Sequence, residues 1–317
     1  MYLLVIKQLV IMLIIAVSGF VLSRIFKFGK DEQKFVSKFL LYFINPCLIL
    51  SHFNLDFNFE KLKNLGIVIL ISSVVHGVML LLGLLFFRSK TAEGKELDSI
   101  DKIAIAFTNC AFIGIPLIEG VLGSEGVFYL LGYIVVFNIF LWTFGYAIID
   151  GKVHIKKLVT NPNIIAVFCG IILFCIPIKL PEIIYSPLKL IGGMNTATSM
   201  VLLGMLFANF NISSDSSIKT YIARGTKLTL FRLVVCAVVN LLIIVCIFNL
   251  FNFVQDIKLI CFVVFISSLC PVGMSVSSFA VLFNKDESYS GFLVIETSIF
   301  SIITIPCAVA IAELFIK

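Results

Sequence analysis

Two apolar stretches of this chain carry residue types that a lipid-buried helix does not need. Residues 107–123, FTNCAFIGIPLIEGVLG, hold Asn109, Gly114, Pro116, Glu119, Gly120 and Gly123. Residues 266–283, ISSLCPVGMSVSSFAVLF, hold Pro271, Gly273 and a run of serines. Proline removes a backbone donor and clashes with the preceding turn, and glycine adds backbone freedom. Each stretch is therefore expected to break as a helix at mid-membrane, where irregular backbone is tolerated if it lines a cavity or is buried in protein. Half-helix N-termini at the midplane offer free N–H groups and partial positive charge. That chemistry suits the carboxylate of a small organic anion, with Asn109 as a further donor. Ordinary proline kinks are the plain alternative, but two interruptions at matched positions favour a binding site formed by Asn109, Gly114, Pro116, Pro271 and Gly273.

Other polar residues within apolar runs are costly there and are read first as functional. Asn45, beside Pro46, either lines the same pocket or caps a kink. Asn138, Asn195 and Asn240 have interhelical hydrogen bonding as their simpler role. His76 and Glu296 are the ionisable candidates for coupling to a proton gradient. Glu119 is expected nearer the external water. Arg232 is placed either to snorkel to the cytoplasmic interface or to pair with an acid such as Glu296. Ser267, Ser268, Ser275, Ser277 and Ser278 are the oxygens available to a sodium ion, which needs several converging on one point.

The elements that must position these residues follow from hydropathy. The chain has 317 residues, 60% hydrophobic and 13% charged, and its mean hydropathy is +1.13. A soluble fold needs about twice that charge. Apolar blocks suited to spanning helices of about 20 residues run near 3–26, 35–53, 64–87, 101–122, 127–149, 161–178, 187–208, 227–249, 258–282 and 290–315. The first block is longer than a signal-peptide core and is taken as a retained helix. The longest connection is expected around Asn209–Thr226. Most of the 24 lysines and arginines fall after odd-numbered spans, among them Arg24, Lys27, Arg88, Lys90, Lys152, Lys156, Lys157 and Arg224. The positive-inside rule then places both termini outside the cytoplasm of a cell-membrane protein. Ten spans divide into five plus five, residues 1–150 and 151–317. An odd number per half requires the second half to be inverted, the architecture of inverted-repeat carriers. The join is expected in the loop 150–160. Small-residue pairs at Ala166/Gly170 and Gly204/Ala208 suit close helix contact or a dimer seam.

Several classes fit poorly. The nine cysteines lie almost all in apolar blocks and have neither disulfide nor zinc spacing, so no metal or cofactor is expected. There is no H-E-x-x-H, G-x-S-x-G or Walker A sequence. No aromatic-interleaved basic stripe suggests nucleic acid. The chemistry left is that of a carrier, with a sodium-coupled anion symporter or a non-transporting receptor on the same scaffold as alternatives.

The motifs also resemble a known family. TNCAFIGIPLIEGVLG, with Asn109, Gly114, Pro116, Leu117 and Gly123, is similar to the fourth-span motif of the auxin efflux carrier family, which includes bacterial malate permease-like proteins. NPNIIAVFCGIIL at 161–173, MVLLGMLFA at 200–208, CPVGMSVSSFA at 270–280 and ETSIFSIITIP at 296–306 resemble its later spans. The resemblance covers essentially the whole chain. It implies an all-α integral membrane protein of ten helices in two inverted five-helix repeats, with broken helices 4 and 9 crossing. It further implies a scaffold of helices 1, 2, 6 and 7, a transport part of helices 3–5 and 8–10, elevator-type alternating access, homodimers, and small carboxylates or auxin-like acids as cargo. It carries the crossover roles onto Asn109, Pro116 and Pro271. One departure concerns span 8, where many relatives have a proline soon after the arginine and this chain has Cys236.

Overall fold

The computed structural model describes residues 1–89, 92–151, 160–176, 179–209 and 215–316. The loop where the two halves are expected to join lies mostly outside the described residues. Regular structure among the described residues is helical: α1 (Tyr2–Phe26), α2 (Lys30–Phe39), α3 (Asn45–Phe53), α4 (Phe59–Phe86), α5 (Ala92–Ala106), α6 (Ile115–Phe140), α7 (Tyr146–Asp150) and α8 (Pro162–Cys175). There follow α9 (Glu182–Gly193), α10 (Asn195–Asn209), α11 (Asp215–Leu230), α12 (Cys236–Leu250), α13 (Ile257–Leu269), α14 (Met274–Leu282) and α15 (Glu287–Phe315). The segment expected as the longest connection is largely α11.

Among the described residues seven stretches are long and apolar enough to cross a membrane, and α8 and α13 are shorter apolar helices. The count differs from ten blocks for physical reasons. The stretch Cys110–Asp150 is 41 residues long; at about 1.5 Å per residue it would reach roughly 60 Å, twice the hydrocarbon thickness of about 30 Å. Gly123, at φ 68° and ψ −168°, divides it into two legs. The fourth and ninth blocks are each interrupted, so neither is a single helix.

Local signals set several boundaries. The Asn58 side chain accepts from the N–H groups of Glu60 and Lys61 to open α4, and Asp286 does the same for Tyr289 at the start of α15. Among the described residues wide π-turns occur at Leu40–Ile44, Cys110–Gly114, Leu141–Gly145 and Phe231–Val235. Two of them lead into a proline, Pro46 and Pro116, whose missing N–H and bulky ring disfavour an ordinary turn. The turn holding Arg232 forms even though Cys236, not proline, follows it.

In α1 the buried positions are Val5, Leu9, Met12, Ala16, Gly19 and Ser23. They recur every three or four residues and make one seam. That seam packs on α10, where a Cβ added at Gly19 would lie 2.6 Å from the Val201 carbonyl oxygen and one at Gly204 would strike the Ala16 backbone. Gly170 likewise faces the Phe53 ring. The small residues of both expected pairs thus serve helix contacts within the chain. The opposite face of α1, with Leu3, Ile14 and Ile25, is exposed and apolar, as lipid requires.

The main core lies around α4, α5, α6 and α13, with Phe107, Phe128, Tyr129, Phe262 and Phe265 fully buried. A second, small apolar cluster joins Leu40, Ile44 and Leu202 to Phe112 and Met274.

Candidate functional site

The chain unwinds between α5 and the π-turn at Cys110, and again between α13 and α14. These two breaks lie side by side. Thr108 and Val272 form an isolated antiparallel bridge. The Asn109 N–H donates to the Pro271 carbonyl at 2.8 Å, and the Gly273 N–H donates to the Phe107 carbonyl at 3.0 Å. The Val272 N–H donates to Thr297 Oγ1 at 3.0 Å. Backbone groups that left their helices are thereby satisfied across the crossing, as burial demands. Gly273 is needed for this approach, because a Cβ there would lie 2.8 Å from the Thr108 carbonyl oxygen.

The two prolines play different parts. Pro271 lies inside the second break. Pro116 does not make the first; the unwinding is at residues 107–109, and Pro116 stands in the first turn of α6, where its missing N–H costs little. Its carbonyl accepts from Gln8 Nε2 at 3.0 Å. Gly114 is buried in the π-turn between them.

Asn109 is 2% exposed, and its Nδ2 has no partner. The hydroxyl of Ser275 and the Nε of Arg232 are also buried without partners. Buried donors with nothing to bond are uncommon and call for a ligand, a water or a second conformation. A small cavity of about 60 Å³ lies between α1, α10 and α15, lined by residues including Met12, Ala16, Ile113, Met200, Leu203 and Ser301, and none of residues 107–109 or 270–273 lines it.

The other expected site residues make contacts of their own, and of these His76 borders the crossing through Phe107. Asn45 accepts from Asn195 Nδ2 at 2.7 Å, and both side chains are buried, so this pair ties the second expected span to the seventh. His76 is 1% exposed. Its Nδ1 is 2.8 Å from the Ser72 carbonyl, its Nε2 has no partner, and its ring sits among Phe107, Tyr133, Phe137 and Phe140. Glu296 accepts from the hydroxyls of Thr226 at 2.9 Å and Thr229 at 2.8 Å. Of the serines, Ser267, Ser268 and Ser278 donate to the carbonyls of Val263, Phe265 and Met274 within their own helices, Ser277 accepts from Ser290 at 3.4 Å, and the Ser275 hydroxyl has no partner.

Arg232 neither snorkels nor pairs with Glu296. It is 3% exposed and reaches the crossing itself. Nη1 donates to the Ile105 carbonyl, and Nη2 donates to the carbonyls of Cys270 at 2.9 Å and Ser268 at 3.4 Å.

The sequence model of a family described as membrane transport protein matches residues 4–154 and 150–309. The chain belongs to this family of membrane transport proteins. It is the family that the auxin efflux carrier motifs indicate. No curated protein matches the chain. The protein is accordingly a multi-pass secondary transporter.

The transporter has a further polar cluster that its sequence did not announce. Arg224 Nη2 lies 2.6 Å from Asp98 Oδ1 and 2.5 Å from Asp101 Oδ2, and its Nη1 donates to the Ser89 hydroxyl at 3.0 Å. Ser89 donates from its N–H and hydroxyl to Asp98, and the Tyr289 hydroxyl donates to Asp101 at 2.7 Å. One guanidinium thus joins the end of α4, the first half of the broken helix, α11 and α15. Asp98 and Asp101, three residues apart at the start of an apolar run, were the available signal.

Proposed function

We propose that the protein is a secondary carrier for a small organic anion, with the carboxylate held at the crossing of residues 107–109 and 270–273. The observation that carries this reading is the orphaned Asn109 amide, buried against Pro271 between two half-helix starts. The Cys110–Gly114 turn and α14 both begin there, and their N–H groups supply the partial positive charge a carboxylate favours.

In this reading the chain crosses the cell membrane ten times, as residues 1–150 and an inverted 151–317, with both termini extracytoplasmic. The fourth span is α5 plus the first leg after Cys110, and the ninth is α13 plus α14. Helices 1, 2, 6 and 7 form the scaffold, and helices 3–5 and 8–10 carry the crossing past it in an elevator movement, within a homodimer. The two breaks, held together by backbone hydrogen bonds, suit an occluded state of such a cycle. Glu296 supports proton coupling better than His76, because it is only partly buried and its hydroxyl partners can rotate, whereas His76 is sealed by aromatic rings.

The test is uptake of labelled malate and of indole-3-acetate into proteoliposomes under a proton gradient, a sodium gradient or neither. Saturable uptake whose apparent affinity falls roughly tenfold or more in Asn109→Ala supports the assignment. Uptake unchanged in that variant removes the crossing as the site.

A further inference from the structure

We propose that Arg232 is a resident cation of the crossing: a positioning residue whose guanidinium occupies the carbonyl cluster that a sodium ion would otherwise occupy. The proposal rests on the transport reading only for its consequence for coupling.

In inverted-repeat carriers the unwound carbonyls and the C-terminal ends of half-helices are where cations bind. Here those ends are α5 and α13. A helix C-terminus carries roughly half a negative charge, so two of them meeting in a dry interior present about one. Arg232 supplies one positive charge, on a third helix, and directs it at both ends together. Its Nη1 takes the Ile105 carbonyl from α5, and its Nη2 takes the Ser268 and Cys270 carbonyls from α13 and the second break. Among the described residues no acid lies within ion-pair distance of Arg232. Its countercharge is the pair of helix ends.

The guanidinium suits this position for two reasons. It stays charged when buried, and its planar fork reaches separate acceptors in a fixed geometry. A lysine ammonium is a point donor and cannot span both helix ends equally well. The Phe231–Val235 π-turn places residue 232 where the fork meets both breaks. Because Nη1 and Nη2 are committed to backbone, Arg232 holds the crossing in shape and leaves Asn109 to face the substrate. The consequence is a carrier whose crossing needs no dissolved sodium ion to be electrically complete.

The experiment uses the full-length protein purified in detergent and reads its thermal midpoint, so it needs no substrate and does not depend on the proposed cargo. The native protein is expected to unfold at the same temperature in sodium and potassium chloride of equal ionic strength. Arg232→Ala is expected to fall by roughly 5 °C or more and to regain part of that loss on addition of millimolar guanidinium. Arg232→Lys is expected between the two. The proposal is overturned if sodium specifically stabilises the native protein, if Arg232→Ala or Arg232→Lys unfolds at the native temperature, or if guanidinium restores nothing to the alanine variant. Should the alanine variant not fold, the native protein and the lysine variant decide the question.

Discussion

The backbone N–H of Asn109 donates to the carbonyl of Pro271 at 2.8 Å, across 162 positions of sequence. The main chain of Asn109 is thus spent on holding the two breaks together, while its side-chain amide is left over. This division separates structure from function at a single residue. Asn109→Ala keeps the backbone bond and is expected to leave the thermal midpoint nearly unchanged. A lost hydrogen bond to a charged group is worth about 1.5–3 kcal/mol, so anion affinity should fall roughly tenfold to a hundredfold, which uptake kinetics would reveal.

Two glycines of the crossing are predicted to respond oppositely. Gly273→Ala forces a Cβ to within 2.8 Å of the Thr108 carbonyl oxygen and should part the bridge, lowering both stability and uptake. A Cβ at Gly114 meets Cys110 and Cys270 at an ordinary 3.5 Å. Gly114→Ala should unfold at the native temperature, which a thermal melt in detergent checks.

Arg224→Ala strips the fully buried Asp101 of its cation. Breaking a buried pair costs about 3–5 kcal/mol, and the lower end applies because Arg224 remains 18% exposed. Asp101→Asn, which removes the carboxylate instead, should be milder. Unfolding curves of the two variants compare these costs directly; losses near zero in both would show that the cluster contributes little, and a larger loss in Asp101→Asn would reverse the ranking.

Glu296→Gln keeps the shape and the threonine contacts but cannot release a proton. Transport by this variant is expected to lose its dependence on pH, whereas His76→Phe, which fits the aromatic surroundings of His76, is expected to keep it. Initial rates measured across pH in both variants discriminate the two coupling candidates; a flat profile in His76→Phe alone would reverse the assignment.

What was legible in the sequence is what depends on residue type within an apolar run. Asn109, Pro271 and Gly273 stand out in such runs because polar groups and helix breakers are expensive there, and the structure brings these three together. The exact place of the first break was not legible. Pro116 drew attention to itself, yet a wide turn and a helix start accommodate it, and the chain opens at Phe107–Asn109 instead. Asn45 was grouped with the site by its proline neighbour, but its partner is Asn195, 150 residues away. The position of Arg232 could not be read at all. Its acceptors are backbone carbonyls, which have no signature in the sequence, and the nearest of them is 36 residues distant.

The small cluster of Leu40, Ile44 and Leu202 against Phe112 and Met274 has a mechanical consequence. Its contacts are dispersive and without direction, each worth only a tenth or two of a kcal/mol per atom pair. Displacement across such a surface exchanges one set of methyl and ring neighbours for another without leaving a donor or acceptor bare. Resistance to sliding there is governed by the relief of the surfaces, not by bonds that must first be broken. A bulkier side chain at Leu202 would act as a detent, and a smaller one would let the two sides slip.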